Sequence, residues 1–139
     1  MALDSTASVR WEGDLATGSG TATLASGVAG PLAVDWKART EDHGGKTSPE
    51  ELIAAAHASC FSMAFSARLA KAGAESIVIE VEATATFVPG SGITGMTLRV
   101  SGDTGLDPNR FAELAEDAKQ NCPVSQALAG NVPITLEII

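Results

Sequence analysis

The chain has 139 residues, 45% of them hydrophobic, a net charge of −8 and a pI near 4.6. That length fits one domain spanning 1–139 with a core of its own. The acidic balance excludes a surface built for nucleic-acid phosphates or anionic lipid. The N-terminus, Met1-Ala2-Leu3-Asp4, lacks a basic stretch followed by an apolar one, so no secretory leader is expected. The longest weakly polar run, 52–70, is interrupted by His57, Ser59, Ser62, Ser66 and Arg68 and is not read as a membrane span. A cytoplasmic address follows as the expectation.

Residues 7–11, 21–26 and 32–36 are short β-type runs, separated by turn signals at Gly13, Gly18, Gly20, Gly27 and Gly30-Pro31. Residues 38–47 read as a charged loop. Ser48-Pro49-Glu50-Glu51 then opens a helix: a capping serine, a proline at the first helical position and two acids in the first turn. Good helix formers continue to Lys71, and Gly73 ends the run. Leu52, Ala56, Ser59, Met63 and Leu69 leave no wide polar face, which predicts a central helix buried on all sides, shielded in part by a second subunit.

Residues 76–88 alternate, with Ile77, Ile79, Val81, Ala83, Ala85 and Phe87 on one face, and predict a long half-buried strand. Pro89-Gly90-Ser91-Gly92 turns the chain into a hairpin partner over 93–101. Asp107-Pro108 starts a second helix whose apolar face carries Phe111, Leu114, Ala115 and Ala118. Asn121-Cys122-Pro123 breaks it and begins a short helix to about Ala129, and 132–139 is a last strand. The order of elements is that of an α+β fold.

The chain has two cysteines, Cys60 and Cys122. Two cysteines do not make a disulfide scaffold; they are either buried small apolar residues or a working pair. Cys60 falls near the middle of the long helix, where the helix dipole does little for it and an apolar environment raises its pKa. Cys122 falls at the N-cap of the short helix, where backbone N–H groups favour a thiolate.

The run Ser48-Pro49-Glu50-Glu51-Leu52-Ile53-Ala54-Ala55-Ala56-His57-Ala58-Ser59-Cys60-Phe61-Ser62-Met63 resembles the helix motif of the OsmC/Ohr family, the osmotically inducible and organic-hydroperoxide-resistance proteins. Asn121-Cys122-Pro123-Val124-Ser125 resembles its second motif, and Trp11-Glu12-Gly13-Asp14-Leu15 with Gly18-Ser19-Gly20 resembles the OsmC branch. The resemblance covers essentially the whole chain. It implies antiparallel sheets around a long central helix that carries the nucleophile, in an intertwined homodimer with sites at the interface. It also implies a thiol-dependent peroxidase without metal, flavin or haem. Cys60 attacks a hydroperoxide, Cys122 resolves the sulfenic acid as a disulfide, and an external thiol reduces it: a small dithiol, a lipoylated protein or a thioredoxin-like partner.

The family places an arginine–carboxylate pair beside the nucleophile. Glu50 matches the carboxylate; its alternative role is that of a first-turn helix acid, which Glu51 fills equally well. Arg39, in Trp36-Lys37-Ala38-Arg39-Thr40, matches the arginine of the OsmC branch, and Arg10 is its rival by the pattern of the Ohr branch. Arg68 and Arg99 have no motif support. Glu50 and Cys60 are ten residues apart, about 15 Å along a straight helix, so a serving Glu50 comes from the partner subunit. His57 reads first as a hydrogen-bonded helix histidine, then as a base for Cys60. A metal role is poorly supported, because zinc takes three or four ligands and His43 lies in a distant loop. Phe61, Met63, Phe65 and Phe87 are candidates for an apolar pocket wall, each with core packing as its alternative. Two rival functions remain: a redox-switched binding protein that consumes one peroxide per chain, and a structural dimer holding a small apolar ligand with inert thiols.

Overall fold

A computed structural model describes residues 1–139, which form two compact units, Met1–Pro49 and Glu50–Ile139. In the first unit, β1 (Ala7–Glu12), β2 (Ser19–Leu24) and β3 (Leu32–Val34) make an antiparallel sheet in the order β1-β2-β3. All of β1 is exposed, Val9 and Trp11 included. Residues 36–40, expected to end a strand and begin a loop, form instead a short helix, α1 (Trp36–Thr40). The missed signal is Asp35, whose carboxylate accepts from the Ala38 N–H at 2.7 Å and so caps α1.

The second unit is built on α2 (Pro49–Lys71), which begins and ends where the sequence signals place it. Gly73 follows at φ 79°, a left-handed conformation that glycine adopts freely, and it closes the helix. Then come β4 (Val78–Val88), β5 (Gly92–Asp103), α3 (Pro108–Asn121), α4 (Pro123–Leu128) and β6 (Ile134–Ile138). β4 and β5 pair antiparallel in one long hairpin, with a register shift between Thr86 and Phe87. β6 joins the far side of β5 in parallel, Leu98 opposite Leu136. The expectation of antiparallel sheets therefore holds for β1-β2-β3 and fails at this edge. The α3–α4 connection carries the chain back to the end at which β5 began, and that return makes the last pair parallel.

The buried stripe of α2 has a four-residue period: His57, Phe61, Phe65 and Leu69. Its Phe61, Phe65 and Leu69 pack with Leu98 and Val100 of β5 and with Phe111, Leu114, Ala115 and Ala118 of α3. Phe65 meets Phe61 at 5.6 Å between ring centroids and Phe111 edge-on at 5.0 Å. Arg68 of α2 pairs with Asp117 of α3 beside this core. The opposite face of α2 is uncovered: Leu52, Ala55, Ala56, Ser59, Met63 and Ala67 are exposed, Met63 by 73%. Within one chain α2 is thus buried on one face, not on all sides as its composition predicts. By length and composition alone α2 would also suffice to cross a membrane, but its buried stripe belongs to this core.

Candidate active site at the α2–α4 junction

Cys60 sits halfway along α2 and Cys122 caps the N-terminus of α4. Both thiols are free, Cys122 fully buried and Cys60 half-buried against the apolar cluster that contains Cys122. The fold brings them together across 61 intervening residues, close enough for Cys122 to act on the Cys60 thiol. The break at Asn121-Cys122-Pro123 makes this possible. Pro123 cannot continue the ladder of α3, so the chain leaves the helix at Cys122 (φ −68°, ψ 124°) and re-enters one at Pro123.

The electrostatics of Cys60 follow from its neighbours. Burial raises its pKa first; the adjacent Cys122 adds to the rise, and the Val124 N–H, donating to the Cys60 sulfur, opposes it. The rise agrees with the expectation for a mid-helix thiol in apolar surroundings. The N-terminal amides of α4 depart from expectation. The Cys122 side chain makes no capping bond, and the amide one residue beyond Pro123 serves Cys60 instead. The short helix thus offsets part of the burial cost of an anion on the other cysteine.

His57, one helical turn before Cys60, is fully buried, and its Nε2 lies 2.7 Å from Ser125 Oγ, three residues after Cys122. This is the hydrogen-bonded histidine that the sequence suggests. Burial lowers its pKa, so the ring is neutral at pH 7, and its Nδ1 has no partner. Ser125 lies in the second cysteine motif but carried no signal of its own; it becomes visible only when α4 is laid against α2. No three His, Cys, Asp or Glu side chains gather as a metal site would require.

The remaining candidates are placed as follows. Glu50, in the first turn of α2, is only 5% exposed. It precedes Cys60 by ten residues of continuous helix, about 15 Å. Arg39 is half-buried on α1, its guanidinium carbon 5.8 Å from the centre of the Trp36 ring. Arg10, the rival, lies on exposed β1 and bonds Glu12 at 2.5 Å. Arg99 pairs with Glu137 at 3.3 Å and Glu82 at 3.7 Å across the second sheet. Of the apolar candidates, Phe61 and Phe65 are core residues with no exposed surface, Met63 faces outward and Phe87 is half-buried.

A family model described as OsmC-like protein matches residues 40–137. The peroxiredoxin OsmC of Escherichia coli (strain K12) is 35% identical over 99% of both chains. The organic hydroperoxide resistance protein OhrA of Bacillus subtilis (strain 168) is 35% identical over 66% of this chain and 67% of its own. Among solved structures, OhrB of Bacillus subtilis superposes with a TM-score of 0.72 at 30% identity, covering 96% of this chain and 98% of its own. An organic hydroperoxide resistance protein OsmC from Legionella pneumophila gives 0.71 at 29% identity over 99% and 98%. With both cysteine motifs in place and one of these relatives matched from end to end, this chain belongs to the OsmC-like family.

Proposed function

We propose that the chain is a thiol-dependent peroxidase that reduces organic hydroperoxides to alcohols, with hydrogen peroxide as a second substrate class. The observation that carries this reading is the contact of two free thiols at the α2–α4 junction, one of them receiving a backbone N–H. The names of the relatives, peroxiredoxin and organic hydroperoxide resistance protein, support it.

The Cys60 thiolate attacks one peroxide oxygen. The O–O bond breaks, the alcohol leaves with a proton, and Cys60 becomes a sulfenic acid. Cys122 attacks that sulfur, water leaves, and a Cys60–Cys122 disulfide forms. Two equivalents of an external thiol then restore both cysteines, and a small dithiol, a lipoylated protein or a thioredoxin-like partner would serve. A cytoplasmic address suits that supply of reductant.

Because burial holds the Cys60 pKa up, a cation must stabilise the thiolate and the departing oxygen. We assign this to Arg39, oriented by Glu50. Glu50 is too far along α2 to serve the Cys60 of its own chain, so the pair acts on the partner subunit's site in a homodimer. The uncovered apolar and small-residue face of α2 supports that assembly.

The deciding experiment is cumene hydroperoxide consumption with excess dithiothreitol. Wild type consumes many equivalents per chain and Cys60→Ser none above background, and Cys122→Ser, given one equivalent of peroxide after the dithiothreitol is removed, accumulates a sulfenic acid that dimedone traps. One equivalent consumed by wild type would transfer the assignment to the redox switch. Full activity in Cys60→Ser would refute the catalytic role of Cys60.

A further inference from the structure

The buried pair His57–Ser125 has no part in the peroxide chemistry as written above, yet it lies one helical turn from both thiols. His57 precedes Cys60 by three residues on α2, and Ser125 follows Cys122 by three residues on α4. Each interval is about 4.5 Å of helix. The two segments therefore meet as a ladder with two rungs, thiol to thiol and imidazole to hydroxyl, and they run in opposite directions.

We propose that His57 and Ser125 are positioning residues that hold α4 in register with α2, so that Cys122 and the Val124 N–H stay on the Cys60 sulfur through the oxidised intermediate. This rests on the peroxidase reading of the two cysteines. The Nε2–H of the neutral ring donates to Ser125 Oγ, and Nδ1 is left as a bare lone pair in a buried place. The opposite tautomer would leave a buried N–H unpaired. A hydrophobic residue with an alanine opposite would fill the same space and leave no polar atom orphaned. A buried hydrogen bond differs from such a packed pair in fixing one relative placement of its two elements.

Register matters here because of what α4 carries. The helix has six residues and no side-chain cap, yet it supplies both the resolving thiol and the amide on Cys60. To close the disulfide, the two sulfurs must approach to about 2.05 Å with a Cβ–Cβ separation of about 3.8 Å. A shift of α4 by a fraction of a turn would lose that geometry and the Val124 bond together. The His57–Ser125 bond opposes such a shift while leaving the thiols free to react.

The test is the fate of Cys60 after one equivalent of cumene hydroperoxide in the presence of dimedone, read by intact mass as adduct against disulfide, with thermal unfolding measured alongside. In wild type the disulfide dominates. In Ser125→Ala, ring closure slows on the order of tenfold, the kinetic equivalent of one lost buried hydrogen bond, and the adduct rises accordingly. Ser125→Thr, which keeps the hydroxyl, restores the wild-type partition. A pair that serves only packing would lower the unfolding temperature and leave the partition unchanged. A folded Ser125→Ala with the wild-type partition, or a Ser125→Thr no better than Ala, overturns the proposal. Should Ser125→Ala fail to fold, His57→Leu, which removes both ring nitrogens, gives the same reading. A wild type that forms neither adduct nor disulfide refutes the peroxidase reading itself, an outcome distinct from an unchanged partition.

Discussion

At the residue scale, the two titrating groups beside the site pull the pH response in opposite directions. His57 is buried with its pKa lowered, so folding disfavours its proton. Its contribution to stability is present above the pKa of the unfolded histidine, about 6.5, and is lost as pH falls from there through the lower folded value. Of the groups around it, Ser125 does not titrate over that range and Cys60, its pKa raised, stays a thiol. Between pH 7.5 and 5.5 wild type should therefore lose more stability than His57→Gln, as denaturant titrations at both pH values will show; equal losses would mean that the ring is not held neutral. Cys60 behaves in the reverse sense. Its raised pKa stabilises the folded thiol below the ordinary cysteine value and costs stability as pH climbs past it. If Arg39 supplies the missing charge, Arg39→Gln must move the midpoint of Cys60 alkylation by iodoacetamide to higher pH, because only the thiolate reacts. An unmoved midpoint would leave Arg10 as the guanidinium to test next.

At the element scale, Phe61, Phe65 and Leu69, recurring every four residues, anchor α2 against β5 and α3. Phe65 has no exposed surface and touches two other phenyl rings, so Phe65→Ala should cost about 3–5 kcal/mol. Asp107 caps α3 by accepting from the Asn109 N–H at 2.9 Å, and Asp107→Ala should cost about 1 kcal/mol. Chemical denaturation measures both, and a Phe65→Ala loss no larger than that of Asp107→Ala would contradict the packing described. These elements were legible beforehand because their signals are local. Ser48-Pro49 and Gly73 bound α2, Asp107-Pro108 opens α3, and the alternation from Ile79 to Phe87 marks β4. The junction of the cysteines was legible only through the resemblance, since nothing in their spacing says that α4 returns to α2. The parallel edge of β6 was not legible, because strand direction depends on where a crossover lands. Nor was α1, whose five residues carry too little periodicity to outweigh the strand-like run before them.

At the scale of the whole molecule, the proposed mechanism turns on which chain would supply the charge for each Cys60. Both thiols belong to one compact unit of one chain, so a Cys60–Cys122 disulfide would close without a second copy. Glu50 is different, for a continuous helix keeps it about 15 Å along the axis from its own Cys60. The uncovered stripe of α2 from Leu52 through Ala56 and Ser59 to Met63 is where a second copy would bury apolar surface. Light scattering at micromolar concentration should therefore give a dimer, and Ala56→Glu should yield monomers with low activity. Co-expression separates the origins of the two groups. Cys60→Ser and Glu50→Gln should each be nearly inactive alone. In a mixed dimer, the intact Cys60 of one chain faces the intact Glu50 of the other, while the second site carries both lesions. With random pairing, half the dimers are mixed and half their sites are whole, so about a quarter of wild-type activity should return. If each site drew Glu50 from its own chain, no mixed dimer would contain a whole site and no activity would return.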